Sequence, residues 1–193
     1  MPWVDPLRQR LLRETTHLFV ERGFDGTSMR EIADACGVTK ASLYYYYSSK
    51  ADLLADIIST YLDAVSTAVT RGRAASPDPA GRLRAIVAEL FTLPPEGRAV
   101  IRLAMHDLRH LNDRDRATFG QAYEQQFLQP LADIVRDGIA SGDFEPHDPM
   151  TVVWVLLGML YPFLSSPPNA ATSPQLVDQL LALLLDGLNA RRH

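Results

Sequence analysis

The residues of this chain best suited to chemistry lie in the stretch TKASLYYYYSSK, from Thr39 to Lys50. Four consecutive tyrosines supply phenol hydroxyls, and Lys40 and Lys50, the only lysines of the sequence, stand on either side of them. Phenol and ammonium groups donate hydrogen bonds to phosphate oxygens. The stretch is therefore a candidate for contacts with phosphate groups.

A helix through this stretch sorts the tyrosines by direction. With the core residue Leu43 as reference and a rotation of about 100° per residue, Tyr47 lies near the core direction and Tyr45 points furthest outward. Tyr44 and Tyr46 lie between these two directions. We predict that Tyr47 packs inside, where its hydroxyl needs a partner, and that the other three rings are exposed. The alternative is that all four rings pack in one hydrophobic corner.

Composition and charge favour a folded cytoplasmic protein. The chain has 193 residues, of which 47% are hydrophobic and 22% charged. The single cysteine, Cys36, excludes an internal disulfide, and no signal peptide is recognisable at the N-terminus. The apolar run Val152–Leu164 is shorter than the ~17 residues that span a bilayer.

The net charge of −4 is unevenly distributed along the chain. Residues 1–50 carry seven basic and six acidic side chains, whereas residues 51–193 carry twelve and seventeen. The acidity of the whole chain therefore does not argue against nucleic-acid binding by its N-terminal part.

Apolar spacing and capping residues predict an all-α fold. Ser28 with Glu31 forms a capping box, Thr39 is an expected N-cap, and Gly23 and Gly37 are expected stops. The stretch RGRAASPDPAG reads as a linker, and Pro130 predicts a break in a later helix. We recognise no period-2 strand and no internal repeat.

Two short helices around ACGVT indicate a helix-turn-helix, whose second helix enters a major groove of DNA. Ala33 is small enough for the helices to approach closely, and Gly37 permits the positive φ of the turn. Ile32, Val38 and Leu43 supply the shared apolar contact.

The stretch LFVERGFDGTSMREIADACGVTKASLYYYYSSKADLLADII resembles the N-terminal domain of the TetR/AcrR family of bacterial transcriptional repressors. The resemblance covers roughly residues 7–58. It implies a helix-turn-helix DNA-binding domain over residues 1–48 and a helical bundle for ligand binding and dimerisation over residues 49–193. A fourth helix, from residue 49 to about 72, connects them.

The same resemblance implies the residues that contact DNA. The family places phosphate contacts at the start of helix two and at the head of helix four, and base contacts on the recognition helix. The positions that match here are Thr27, Ser28, Arg30, Thr39, Lys40, Ala41, Ser42, Tyr44, Tyr45, Tyr46 and Lys50. The family usually has phenylalanine where Tyr47 stands, and often histidine where Tyr46 stands.

The last two helices carry more apolar surface than one small bundle hides, and the resemblance implies that they pair with their copies in a homodimer. A two-fold dimer buries such a surface and presents two recognition helices. An entirely intramolecular core is the alternative. The expected interface residues are Val152, Leu156, Leu157, Leu160, Leu164, Leu176, Leu180, Leu181, Leu184 and Leu188.

The resemblance also implies a ligand pocket inside the C-terminal bundle. Aromatic or polar interruptions on apolar faces are the candidate walls, although plain core packing explains each of them as well. A wall of this kind favours a small, mostly apolar or aromatic effector. The candidates are Tyr61, Phe91, Leu103, His106, Tyr123, Phe127, Trp154 and Tyr161.

His106 and His110 have the i, i+4 spacing of a metal pair, which would suit a helical-bundle metalloprotein. No Glu-x-x-His pairs complete such a site, and no P-loop, dinucleotide fingerprint or nucleophile elbow is present. We therefore expect no enzyme, no cofactor and no metal. The sequence predicts a DNA-binding repressor released from its operator by an apolar ligand, with a constitutive DNA-binding protein as the alternative.

Overall fold

The computed structural model describes residues 5–164 and 174–188, and these residues form helices without a β-strand. A 3-10 turn, Leu108–His110, follows α6, and a π-helical segment, Glu124–Leu128, follows α7. The predicted all-α class is confirmed. In chain order the helices are α1 (Pro6–Arg22), α2 (Met29–Ala35), α3 (Lys40–Tyr46), α4 (Lys50–Ala74), α5 (Pro79–Thr92), α6 (Pro95–Asp107), α7 (Asp113–Tyr123), α8 (Gln129–Ser141), α9 (Pro149–Leu164) and α10 (Pro174–Leu188).

Contacts between Cα atoms divide the chain into two compact units. Unit 1 comprises Met1–Tyr61 and Pro94–Gly120, and unit 2 comprises Leu62–Leu93 and Gln121–His193. The expected boundary after residue 48 therefore differs from this division, because the first half of α4 and all of α6 pack with the N-terminal helices.

The first helix of unit 1 has a defined start and stop. Asp5 caps α1 by accepting hydrogen bonds from the amides of Leu7 and Arg8, at 2.9 and 3.4 Å. Gly23, with φ of 77°, ends the helix, and Phe24 folds back so that its ring lies 5.2 Å from that of Phe19. This contact between Phe19 and Phe24 fixes the direction in which the chain runs from α1 to α2.

Three local features define the helix-turn-helix. Ser28 and Glu31 form the predicted capping box at the start of α2. Gly37, with φ of 63°, makes the turn, and the hydroxyl of Thr39 accepts a hydrogen bond of 3.1 Å from the amide of Ser42 at the start of α3. Leu43 is fully buried and anchors α3 to the core of unit 1.

Unit 2 is built around α8, which packs against α5 and α9. Gly138 of α8 meets the loop that follows this helix: a Cβ there would come within 2.3 Å of the Phe144 ring, so only glycine allows the ring to approach. At Pro130, where a break or kink was predicted, helical residues continue without interruption, but a π-helical segment, Glu124–Leu128, lies just before the proline, which stands in the first turn of α8.

The fourth helix, α4, is the one helix among the described residues that has the length and apolarity of a membrane span. Within its most apolar window, 44% is buried inside the chain. Its buried side chains, such as Leu53, Leu54 and Ile58, contribute to the core, as expected for a core helix.

Candidate nucleic-acid interface

The tyrosines of α3 are distributed around the helix end as the 100° rotation predicts. Tyr45 is the most exposed ring, at 86%, and Tyr44 is exposed at 44%. Tyr46 is half-buried and Tyr47, the C-cap residue, is buried at 7%. The predicted positions of Tyr47 in the core and of Tyr45 furthest outward are therefore confirmed, whereas Tyr46, which was expected to be exposed, is half-buried.

Beside Tyr44 lies an open pocket of about 480 Å³, whose lining includes three basic and two acidic residues. It is lined by the segment from Asp25 to Glu31, together with Lys40, Tyr44 and Lys50. The ammonium of Lys40 lies 5.6 Å from the centre of the Tyr44 ring, which orients this exposed lysine along α3. The recognition helix thus presents an aromatic and cationic surface.

Lys50 has a structural contact that the sequence did not reveal. Its ammonium donates a hydrogen bond of 2.7 Å to the carbonyl oxygen of Phe24 and lies 4.5 Å over the Phe24 ring. An ammonium has three N–H donors, so this bond ties the head of α4 to the loop before α2 and uses one of them.

Thr27 does not have the exposed position expected of a phosphate contact. Its side chain is buried at 1%, and its hydroxyl donates a hydrogen bond of 3.0 Å to the carbonyl oxygen of Gly23. The Thr27 hydroxyl therefore closes the loop between α1 and α2, and a phosphate contact at Thr27 stays a prediction.

The start of α2 is already capped. The Glu31 carboxylate accepts hydrogen bonds from the amide and hydroxyl of Ser28, at 2.8 and 2.7 Å. The Ser28 hydroxyl in turn accepts from the Glu31 amide. These hydrogen bonds, the one from the Ser28 hydroxyl first, lower the pKa of Glu31. Arg30 is exposed beside this cap, with Asp34 at 3.9 Å.

Tyr46 also differs from the expectation of a phosphate donor. Its hydroxyl donates a hydrogen bond of 2.8 Å to Oδ2 of Asp5, the N-cap of α1. This bond lowers the pKa of Asp5 and raises the pKa of Tyr46, because it stabilises the carboxylate and the protonated phenol together. The ring of Tyr45 packs edge-on against Tyr46, with centroids 5.6 Å apart.

A second phenol and carboxylate meet on the buried side of α3. The Tyr47 hydroxyl donates a hydrogen bond of 2.5 Å to Asp56 of α4, and the same carboxylate accepts from Nε of Arg8 at 3.0 Å. Burial, followed by this bond to Asp56, raises the pKa of Tyr47. The predicted hydroxyl partner of Tyr47 is thus a carboxylate that is also paired with an arginine.

Sequence reasoning missed Asp5 and Asp56 as acceptors for the tyrosines. The position of Asp5 directly before Pro6 is the pattern of an N-cap, so its place at the start of α1 could have been found. Its contact with Tyr46, 41 residues away, depends on how α1 and α3 pack and has no local signal.

The leucines expected at a dimer interface mostly lie inside unit 2. Leu180 and Leu184 are half-buried, and the side chain of Leu176 is outside the described residues. The exposed large apolar side chains of the same two helices are Trp154 at 52%, Val155 at 47% and Leu183 at 70%. The predicted interface residues therefore lie mostly on the inward faces of α9 and α10. Those that are buried within the chain are Val152, Leu156, Leu157, Leu160, Leu164, Leu181 and Leu188.

The eight candidate pocket residues are divided between the two units. Tyr61, Leu103 and His106 belong to unit 1, where Leu103 is core and His106 is exposed. The other five belong to unit 2, where Phe91 is half-buried and Trp154 exposed.

Three of the candidates in unit 2 do meet. Tyr123 packs on Phe127 with ring centroids 5.3 Å apart, and its hydroxyl is hydrogen-bonded to that of Tyr161. Burial raises the pKa of Tyr161. These three rings form an aromatic cluster with two phenol groups.

His106 and His110 do not lie on one helical face, because α6 ends at Asp107 and the 3-10 turn follows. The His110 ring instead stacks on Phe24, with centroids 4.2 Å apart and planes 16° apart. Among the residues that the structure describes, no three histidine, cysteine, aspartate or glutamate side chains are grouped to hold a metal ion.

Two family models match the chain, one in each half. The model described as bacterial regulatory proteins, tetR family, matches residues 11–57. The model described as the tetracyclin repressor-like C-terminal domain matches residues 76–162. The first covers α2, α3 and most of α1, and therefore includes the tyrosine surface.

Known proteins match over nearly the whole chain. The transcriptional repressor KstR2 of Rhodococcus jostii is 24% identical over 189 residues, which are 94% of this chain and 90% of the relative. The solved structure of KstR2 from Mycobacterium tuberculosis is 23% identical, with a TM-score of 0.83 and 97% of both chains covered. AibR in complex with isovaleryl coenzyme A and operator DNA is 25% identical, with a TM-score of 0.80, and the match covers 93% of this chain and 98% of AibR.

Proposed function

This chain belongs to the TetR family of bacterial regulatory proteins and is a DNA-binding transcriptional repressor, and we propose that a small, mostly apolar ligand releases it from its operator. The observation that supports operator binding is the exposed surface of α3, where Tyr44, Tyr45 and Lys40 point away from the core. Exposed aromatic rings on a recognition helix can contact the DNA backbone and thymine methyl groups.

In the proposed complex each residue type has a distinct role. Lys40 and Arg30 neutralise phosphates, and the hydroxyls of Tyr44 and Thr39 donate to phosphate oxygens. Ala41, Ser42 and the ring of Tyr45 lie on the recognition helix where base edges are read. Lys50 supports the DNA surface by holding the loop at Phe24, with its other donors directed to phosphate.

A homodimer would present two such helices to an operator. We place its interface on the outward faces of α9 and α10, at Trp154, Val155 and Leu183, because these are the apolar side chains exposed on those helices. A groove of about 410 Å³ between the two helices, lined by Val155, Met159 and Leu183 among others, adds apolar surface to the same face. The protein would act in the cytoplasm, on the nucleoid.

The ligand is proposed to contact the aromatic cluster of Tyr123, Phe127 and Tyr161 in unit 2. Phe127 belongs to the π-helical segment, and such segments are frequent at functional sites because their extra residue loosens the helical hydrogen bonds. AibR, one of the similar structures, is described with an acyl thioester of coenzyme A. The acyl chain of such a thioester is the apolar part that the aromatic cluster would contact, so short acyl thioesters and the free acids are the first compounds to test.

The DNA surface is tested by selecting bound fragments from bacterial genomic DNA with the purified protein and measuring their affinity by fluorescence anisotropy. Tyr45→Ala and Lys40→Ala should weaken binding to the selected operator. Arg84→Ala, at an exposed position of α5, is the control and should bind as the parent does. Unchanged affinity of both α3 variants, with the fold intact, would refute the proposed DNA surface.

Ligand release is tested separately on the preformed complex with operator DNA. Isovaleryl coenzyme A, free isovalerate and coenzyme A are added in turn, followed by larger acyl thioesters and lipophilic compounds, while anisotropy reports the bound fraction. A compound that raises the melting temperature of the protein and releases the DNA supports the proposal. Binding that persists with every compound would favour the constitutive DNA-binding protein.

A further inference from the structure

The Tyr46 side chain lies beside the proposed base-reading ring but is held by another helix. Its hydroxyl donates to Oδ2 of Asp5 at 2.8 Å, while Oδ1 of the same carboxylate accepts from the amide of Leu7 at 2.9 Å. A carboxylate fixed by the start of α1 offers an acceptor at a defined place, so the Tyr46 phenol has one preferred direction.

The exposed ring of Tyr45 depends on this neighbour. Tyr45 is 86% exposed and meets Tyr46 in an edge-to-face contact, with centroids 5.6 Å and planes 80° apart. An exposed aromatic side chain loses rotamer freedom when it must hold one position on DNA, and a fixed neighbouring ring reduces that loss in advance. The edge-to-face contact is one of the two geometries in which aromatic rings attract each other.

We propose that Asp5 and Tyr46 are positioning residues for DNA recognition, which orient the Tyr45 ring without contacting DNA themselves. The Asp5 carboxylate fixes the Tyr46 phenol, and the Tyr46 ring fixes Tyr45. The inference rests on the proposed contact of α3 with DNA. It assigns a recognition role to the N-cap of α1, which lies 40 residues before the tyrosine that it orients.

The buried tyrosine of the same helix end supplies a matched control. Tyr47 also donates its hydroxyl to a carboxylate, that of Asp56, but its ring faces the core, with its centroid 6.5 Å from that of the Tyr46 ring. Tyr46→Phe and Tyr47→Phe each remove one hydroxyl from a bond between phenol and carboxylate. Only the first removes a bond that orients Tyr45.

The experiment is a double-mutant cycle on an operator obtained by the genomic selection, with a scrambled duplex measured alongside. Tyr46→Phe should weaken operator binding by about threefold to tenfold, the range that one hydrogen bond contributes, and leave the scrambled duplex unaffected. In the Tyr45→Ala background the same substitution should have no further effect, because the ring it orients is absent. Tyr47→Phe should leave operator affinity unchanged.

Asp5→Ser provides a second variant. Serine caps a helix as well as aspartate does, but it is too short to keep the bond to Tyr46, and it removes one negative charge. Asp78→Ser makes the same change at the N-cap of α5. Because the lost charge changes the affinity for any duplex, the readout is the ratio of operator affinity to scrambled-duplex affinity. This ratio should fall for Asp5→Ser, as for Tyr46→Phe, and stay constant for Asp78→Ser.

Three results would overturn the inference. If Tyr46→Phe weakens operator binding by the same factor in the Tyr45→Ala background, the Tyr46 hydroxyl contacts DNA directly. Unchanged operator affinity for Tyr46→Phe and Asp5→Ser, with Tyr45→Ala still weakened, would refute the positioning role and leave the proposed function standing. Unchanged affinity for Tyr45→Ala would refute the proposed DNA contact as well.

Discussion

The Tyr47 hydroxyl donates a hydrogen bond of 2.5 Å to Oδ2 of Asp56, nine residues further along the chain. The bond joins the end of the recognition helix to α4, and the Arg8 guanidinium on the same carboxylate adds α1. Three helices of unit 1 therefore meet at one carboxylate. A phenol that is buried at this junction stabilises the fold only while it is protonated.

Removing this hydroxyl should lower stability and change its dependence on pH. Tyr47→Phe keeps the ring and removes the bond, so the free energy of unfolding should fall by about 1–2 kcal/mol at neutral pH. Because the pKa of Tyr47 is raised in the folded state, the parent loses this contribution as the pH rises above about 10, where the unfolded chain ionises. Urea unfolding of both proteins from neutral to alkaline pH measures the difference, which should narrow as the pH rises. A difference that is constant with pH would contradict the role of the bond.

Thr27 should behave as a structural residue rather than a DNA contact. Thr27→Val removes the hydroxyl that donates to the Gly23 carbonyl from a side chain that is itself buried, which should lower the free energy of unfolding by about 1 kcal/mol. Thr27→Ser keeps the hydroxyl and is the control. At a temperature where both variants are folded, neither should change the salt dependence of operator binding. A shallower salt dependence for Thr27→Val with unchanged stability would restore the original expectation of a phosphate contact.

The helices and the directions of the four tyrosines could be predicted because they depend on local rules. Capping at Ser28 and Thr39, the stop at Gly23 and the rotation of 100° per residue each act over a few residues. The contact of Tyr46 with Asp5 could not be predicted this way, since its two residues are 41 positions apart and meet only after the helices pack.

Local sequence rules also could not predict which faces of the last two helices point inward. In the apolar sequence VVWVLLGMLYPFL, leucine and valine occur on every side of the helix, so hydrophobic spacing does not distinguish an inward from an outward face. The structure buries Leu157 and exposes Trp154, three residues earlier. The sequence could therefore indicate that an apolar surface remains for a partner, but not which side chains provide it.

Two leucine substitutions should separate dimerisation from folding. Leu183 is 70% exposed on α10, and Leu183→Glu should give a folded monomer because a carboxylate on the proposed interface opposes association. Leu157 is buried at 1%, and Leu157→Glu should prevent folding instead, since a buried unpaired charge is costly. Light scattering after size exclusion reports the mass, and circular dichroism reports the helices. A Leu183→Glu variant that stays dimeric would place the interface elsewhere.

Lys40 should contribute a measurable part of the salt dependence of operator binding. A lysine that neutralises one phosphate releases bound counterions, so Lys40→Ala should reduce the slope of log affinity against log salt concentration by about 1 for each recognition helix bound. Arg84→Ala removes an exposed positive charge from α5 and should leave the slope unchanged. Anisotropy titrations between low and moderate salt give both slopes on the same operator. If the two variants shift the slope equally, the effect comes from the net charge of the protein, and Lys40 does not touch a phosphate.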